Sequence, residues 1–401
     1  MRQYVRFLSI LTGFVLSSVC ALVWAAPQSS WPSATPEAVG LNVSALKALD
    51  LDILAGHYAL IDSLDVFRCG RQVFSAQYPH DYGLIYGQQA LVRGPLNQRL
   101  TGRYNYFDPA THPYWHGSDL HSMQSITKTV TSITIGIAIN RGDFRASLDT
   151  PVLHWFNQAK VRNVDERKRR MTLRHVLTMT TGLDWDEDVP YADPRSDSSR
   201  MEATEDWVAY TIDKPMALEP GSAFKYSSGA TQLLAYIFRQ ETGKDIEAYA
   251  SLYLFTPLGI RFHWKRAYDG TVDTEGGLFL NGSDLAKLGQ LYLDGGRWKQ
   301  QRIVSEAWVH QSVTPAIAAG DGFSYGFKWW LYEQPEHRGM VWLGLGFGGQ
   351  ELMVFPGSGL IASFTGWELL NDSASVADLV ARLAQTLTGA SCAGLSSTDA
   401  R

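Results

Sequence analysis

Residues 122–139 read SMQSITKTVTSITIGIAI, and the fold turns on how this stretch is read. From Ile126 onward the residues are apolar, small or hydroxyl-bearing, with Lys128 the one charge. A buried charge is costly unless it is paired or put to use. Lys128 follows Ser125 by three residues, and on a helix residues three apart lie on one face, a turn apart. Ile126, Val130, Ile133 and Ile137 recur at a spacing that buries a different face. Serine is a poor nucleophile until a base takes its proton, and a lysine held dry gives up its proton more readily. A helix N-terminus beside Ser125 adds partial positive charge and free N–H donors, which favour an oxyanion.

Ser-x-x-Lys alone is a weak signal, and it occurs three times: Ser44 with Lys47, Ser125 with Lys128, and Ser222 with Lys225. The first pair lies on an amphipathic surface helix and the third in the turn-like EPGSAFKY. Only the middle pair sets its lysine in an otherwise buried helix. A rival nucleophile, Ser324 in Gly322-Phe323-Ser324-Tyr325-Gly326, matches G-x-S-x-G. That motif needs a core strand before it and a helix after it, whereas here a loop precedes and a strand follows. His112, His116 and His121 are separated by proline and aromatics, so no metal site is expected. No H-E-x-x-H, paired C-x-x-C, phosphate loop or dinucleotide fingerprint occurs, and no cofactor is implied.

The 401 residues suit two or three average domains, or one large domain with an insertion. A formal net charge of −5 argues against a nucleic-acid partner, which usually requires a basic face. At the N-terminus, Arg2 and Arg6 precede an apolar run from Phe7 to Trp24 and small residues before Pro27. This is the pattern of a secretory signal peptide over residues 1–26, with an uncleaved anchor as the alternative. Val19 before Cys20 is too large for a lipoprotein cleavage site. The expectation is a periplasmic or secreted protein with no stable membrane association after cleavage. Two cysteines then remain, Cys69 and Cys392, either paired in an oxidising compartment or free and buried.

Residues 36–56 show helical spacing, and 61–77 contain two alternating runs around Cys69-Gly70-Arg71, a strand hairpin. From 143 to 312 the pattern is mainly helical, broken by an acidic loop at 184–199. Residues 322–369 turn strand-like, and a last helix runs from about 375 to 388. Strands at both ends with helices between predict an α/β (α+β) domain over 27–390. One antiparallel sheet is flanked by helices, its lobe spanning about 36–142 and 290–390, with an inserted helical lobe over about 143–289. Residues 391–401 form a tail.

The run HSMQSITKTVTSITIGIAINRGDFRASLDTPV resembles the nucleophile helix of the serine β-lactamase-related superfamily. That superfamily takes in class C β-lactamases, penicillin-binding DD-peptidases, family VIII esterases and 6-aminohexanoate-dimer hydrolases. The likeness continues in order through MTLRHVLTMTTGLDWDED, the block from Glu219 to Ile260, the block from Glu275 to Val309, and GLGFGGQELMVFPGSGLIASFTG. It covers most of residues 36–388 and is strongest to the dimer-hydrolase and esterase branch.

The resemblance implies a β-lactamase/transpeptidase-like fold, with Ser125 as nucleophile, Lys128 as base and Tyr226 of Tyr226-Ser227-Ser228 relaying the proton. Ser228 falls where a family residue hydrogen-bonds the lysine. The family's third motif, Lys-Thr-Gly or His-x-Gly, is matched only by Gly344-Leu345-Gly346 followed by Phe347, so its cation is missing. What remains is backbone: the N–H of Phe347 pairing with that of Ser125 as an oxyanion hole, with Gly346 letting substrate approach. Trp185 either contacts substrate or caps the core, and Asp186, Glu187 and Asp188 read as a solvated acidic face. In this fold the C-terminal helix packs near the N-terminal hairpin, which brings Cys69 and Cys392 within bridging range. The expected function is cleavage of small ester or linear amide substrates, with weak or no β-lactamase activity. The alternatives are a D-amino-acid or cell-wall peptidase, or a non-catalytic binding or sensor module on the same fold.

Overall fold

The hairpin around Cys69-Gly70 forms β1 (Ile61–Arg68) and β2 (Arg71–Gln77). Its two-residue turn puts Cys69 at φ 54° and Gly70 at φ 71°, both left-handed, as a tight hairpin turn with the right twist requires. A computed structural model describes residues 31–334, 339–371, 374–389 and 392. The expected leader and, apart from Cys392, the expected tail lie outside the described residues.

Six further strands come from the C-terminal part of the chain: β3 (Ile317–Gly320), β4 (Phe323–Tyr325), β5 (Trp330–Gln334), β6 (Gly339–Gly346), β7 (Gln350–Phe355) and β8 (Leu360–Gly366). The eight strands form one sheet in the order β2-β1-β8-β7-β6-β5-β4-β3, antiparallel throughout. The N-terminal hairpin therefore pairs with the last strand. Strand β3 was not foreseen, because IAAG lacks the β-branched and aromatic residues that mark a strand. Ser324 lies within β4, opposite Leu331, which is not the strand-to-helix corner a nucleophile elbow needs.

Helices cover both faces. On β7, Met353 and Phe355 point to one side, where α1 (Val43–Leu54) and α5 (Val376–Ala384) contribute Leu46, Leu49, Ile53, Leu379, Val380 and Leu383. Leu352 and Val354 point to the other side, the period-two alternation of a strand buried on both faces. There they meet α2 (Ile126–Arg141) and α4 (Gly282–Leu293). Gly289 of α4 comes so close that a Cβ there would lie 3.0 Å from Val354 Cγ2. Helix α3 (Ser228–Thr242) packs behind α2 in the same core. The region expected to be mainly helical holds α3 and α4, several helices of seven residues or fewer, and the short strands His263–Trp264, Leu278–Leu280, Arg297–Trp298 and Gln301–Arg302. The architecture is the β-lactamase/transpeptidase-like one expected. A disulfide joins Cys69 to Cys392, closing the turn of the first hairpin onto the C-terminal segment.

Candidate active site

The chain reaches α2 through Gln124, a non-glycine residue at φ 46°. Such backbone costs on the order of 1–3 kcal/mol and persists where the surroundings enforce it; here it turns the chain sharply at the residue before Ser125. Ser125 is the N-cap of α2, yet its hydroxyl makes no capping hydrogen bond. N-cap serines ordinarily spend that oxygen on the helix backbone. Ser125 instead accepts from Lys128 Nζ at 2.8 Å.

Lys128 is 1% exposed, so the amine is dry and aimed at the hydroxyl. Its two other hydrogen bonds go to Glu275, to the carbonyl at 2.7 Å and the carboxylate Oε2 at 3.3 Å. The amine thus has three polar partners, the Ser125 hydroxyl and the carbonyl and carboxylate of Glu275. Glu275 belongs to a turn locked by Asp273, whose Oδ1 accepts the N–H groups of Glu275 at 3.2 Å and Gly276 at 2.9 Å. Burial and the charge of Glu275 push the Asp273 carboxyl up to about 6.

Tyr226 precedes α3, whose N-cap is Ser227, with Oγ accepting from Ala230 N at 3.0 Å. Its phenol is hydrogen-bonded to Ser125, and its ring centre lies 5.2 Å from Lys128 Nζ. The ring stacks on Trp330 at 5.6 Å. Burial, followed by the negative charge of Glu187, raises the phenol well above its ordinary range, outweighing the opposing bond to Ser125. Tyr226 therefore holds its proton at neutral pH.

Ser228 does not touch Lys128. Its Oγ donates to Glu187 Oε1 at 2.6 Å and its N–H to Oε2 at 2.7 Å. The same carboxylate accepts Trp185 Nε1 at 2.7 Å and Tyr191 O–H at 2.8 Å. Glu187, expected on a solvated acidic face, is thus buried with four donors at the N-terminus of α3. Burial raises its carboxyl, and the charge of Lys128 opposes the shift. Trp185 is buried, 2% exposed, and packs on α3, where a Cβ on Gly229 would come 2.5 Å from its ring edge, a core position.

Gly346 ends β6 against the turn before Ser125. A Cβ there would lie 2.5 Å from Met123 O and 2.8 Å from Gln350 Cβ, so the close approach it permits is to the protein's own backbone. Among the described residues, neither the Phe347 nor the Ser125 N–H has a backbone acceptor. The Phe347 ring sits edge-on to Tyr191 at 4.8 Å, and the two, with Ser125, Gln124, Glu202 and Glu275, line a cavity of about 20 Å³.

Sequence reasoning missed Glu275 and Glu187. The only signal for Glu275 was its place beside Gly276-Gly277 in a block of family likeness. Glu187 gave none, sitting between two aspartates. Of the other serine–lysine pairs, Ser222 bonds its own turn at Glu219 O, and Ser44 and Lys47 are exposed on α1. The three histidines do not converge. His121 bonds Asp62 at 2.9 Å and His112 stacks on Trp367 at 5.3 Å; no metal-binding group occurs among the described residues.

A family model described as Beta-lactamase matches residues 63–385. The 6-aminohexanoate-dimer hydrolase of Paenarthrobacter ureafaciens is 27% identical over 276 residues, 62% of this chain and 67% of that protein. Esterase EstB of Burkholderia gladioli is 26% identical over 150 residues, which span 35% of this chain and 37% of its own. The octameric penicillin-binding protein homologue from Pyrococcus abyssi superposes with a TM-score of 0.57 at 18% identity, covering 86% of this chain and 77% of that one; at that identity the likeness speaks for the fold.

Proposed function

For a chain that belongs to the β-lactamase family and is one of its serine hydrolases, we propose cleavage of small esters or short linear amides through an acyl-enzyme on Ser125. The observation that carries the reading is a dry lysine amine 2.8 Å from a hydroxyl left free of capping. Lys128 takes the Ser125 proton as Oγ attacks the carbonyl. The N–H groups of Ser125 and Phe347 receive the tetrahedral oxyanion. Tyr226, kept protonated by burial, donates to the leaving group. Water then releases the acid.

The esterase and dimer-hydrolase relatives support esters and linear amides. With glycine and leucine where the family carries its third-motif cation, a β-lactam carboxylate loses its usual partner, so β-lactamase activity should be weak. A periplasmic or secreted location is part of the proposal, supported by the leader pattern and by the Cys69–Cys392 disulfide.

The test is a pH–rate profile on p-nitrophenyl esters for wild type, Ser125→Ala, Lys128→Ala and Tyr226→Phe, alongside nitrocefin and a muropeptide. The expected result is ester turnover lost in all three folded variants and little nitrocefin cleavage. Brisk nitrocefin cleavage without ester turnover, or release of D-alanine as the main activity, would overturn it.

A further inference from the structure

The reaction needs a base to activate water against the acyl-enzyme, and Lys128 is already committed to Ser125. We propose that Glu275 is that base: its carboxylate activates the hydrolytic water in the cavity beside Ser125. The inference rests on the acyl-enzyme reading above.

The cavity is lined by Ser125 together with Gln124, Tyr106, Glu202, Glu275 and Phe347. Its volume of about 20 Å³ matches the room one water needs, roughly 10–15 Å³ or more. The nucleophile and two carboxylates border this one space. Glu202 is the poorer base. Its Oε1 accepts the Tyr106 phenol at 2.7 Å, and burial plus the charge of Glu275 raises its carboxyl well above the ordinary range. Glu275 has a counter-charge in the Lys128 amine at 3.3 Å, and its turn is fixed by Asp273.

The distances also close a proton circuit. Glu275 lies 3.3 Å from Lys128 Nζ, which lies 2.8 Å from Ser125 Oγ. In deacylation the water oxygen bonds to the acyl carbon while its proton passes to the Glu275 carboxylate. The bond from acyl carbon to Ser125 Oγ breaks, and Oγ takes a proton from the Lys128 ammonium. Glu275 then returns its proton to Lys128. Lys128 finally passes a proton to Tyr226, replacing the one that phenol gave the leaving group, so that one water is consumed, one acid leaves and all the groups end as they began.

A carboxylate that only positioned Lys128 would affect both halves of the reaction when removed. A hydrolytic base affects the second half alone. Glu275→Gln keeps the backbone carbonyl that holds Lys128 Nζ at 2.7 Å, so the amine stays aimed at Ser125 and acylation should not slow. The experiment is stopped-flow release of p-nitrophenol from p-nitrophenyl acetate, with intact-protein mass spectrometry and hydroxylamine as a competing nucleophile.

Expected for Glu275→Gln is a full burst, an acetyl adduct on Ser125, and steady-state turnover slowed about 10²-fold or more. Hydroxylamine, which needs less help from a base, should restore turnover as acetohydroxamate. Glu275→Asp, which keeps the charge and withdraws it by one methylene, should slow the same step less, and decides the matter if the glutamine variant does not fold. Burst and steady state falling together, or deacylation unchanged in both variants, would overturn the role of Glu275. A wild-type enzyme that forms no Ser125 adduct would instead overturn the acyl-enzyme reading itself.

Discussion

Glu351 lies in β7 between Leu345 and Phe364 on the flanking strands, pointing with Met353 and Phe355 towards α1 and α5. It is 3% exposed, its Oε2 has no hydrogen-bond partner among the described residues, and burial alone pushes its carboxyl from 4.5 up to about 8. The folded state thus keeps a proton that the unfolded chain releases above about pH 4.5. Between these two values the native state binds more protons, so stability falls as pH rises. At 1.36 kcal/mol per pH unit, the loss grows from about 1 kcal/mol at pH 5 to about 4 kcal/mol at pH 8.

Glutamine keeps the shape and cannot ionise, and its own cost in that site does not depend on pH. The difference in stability between Glu351→Gln and wild type should therefore shift in favour of the variant by about 3 kcal/mol between pH 5 and pH 8. For a domain of this size that corresponds to a gain of roughly 4 °C in relative Tm. Differential scanning fluorimetry of both proteins at intervals from pH 5 to pH 8 measures it. A constant Tm offset across the range would refute the reasoning, because it would mean Glu351 does not change charge on unfolding there.

Two further outcomes are expected. Cys392→Ser, by freeing the C-terminal segment from the first hairpin, should lower stability by about 2–5 kcal/mol while leaving kcat on esters unchanged; equal denaturation midpoints for variant and wild type would speak against the bridge. Gly346→Ala forces a methyl to within 2.5 Å of Met123 O and should displace the Phe347 N–H from Ser125, cutting kcat more than about tenfold while raising KM little; a variant with unaltered kcat would remove that amide from the oxyanion site.

The sheet and the Ser125–Lys128 face of α2 were legible in the sequence because each rests on a local pattern. A lysine in a run of isoleucines and threonines has few places to go, and strands buried on both faces read as apolar runs. What was illegible was set by long-range folding. Asp186-Glu187-Asp188 has the composition of a solvated loop, and only the fold of 184–199 back onto α3 adds the two donors of Ser228 to those of Trp185 and Tyr191. Once that carboxylate claims Ser228, its hydroxyl no longer serves Lys128. Glu275 sits 147 residues from its lysine, beyond any spacing rule. Gly346 was expected to let substrate approach, and its tightest neighbour, Met123 O, comes from a segment that no local pattern ties to it.

The pairing of β1 with β8 sets an order of events. Ser125 and Lys128 leave the ribosome early, well before Tyr226, Glu275 and Phe347, and the floor under α2 is laid by strands synthesised later still. Until the last of these pairs with the first hairpin, the sheet on which α2 rests is incomplete.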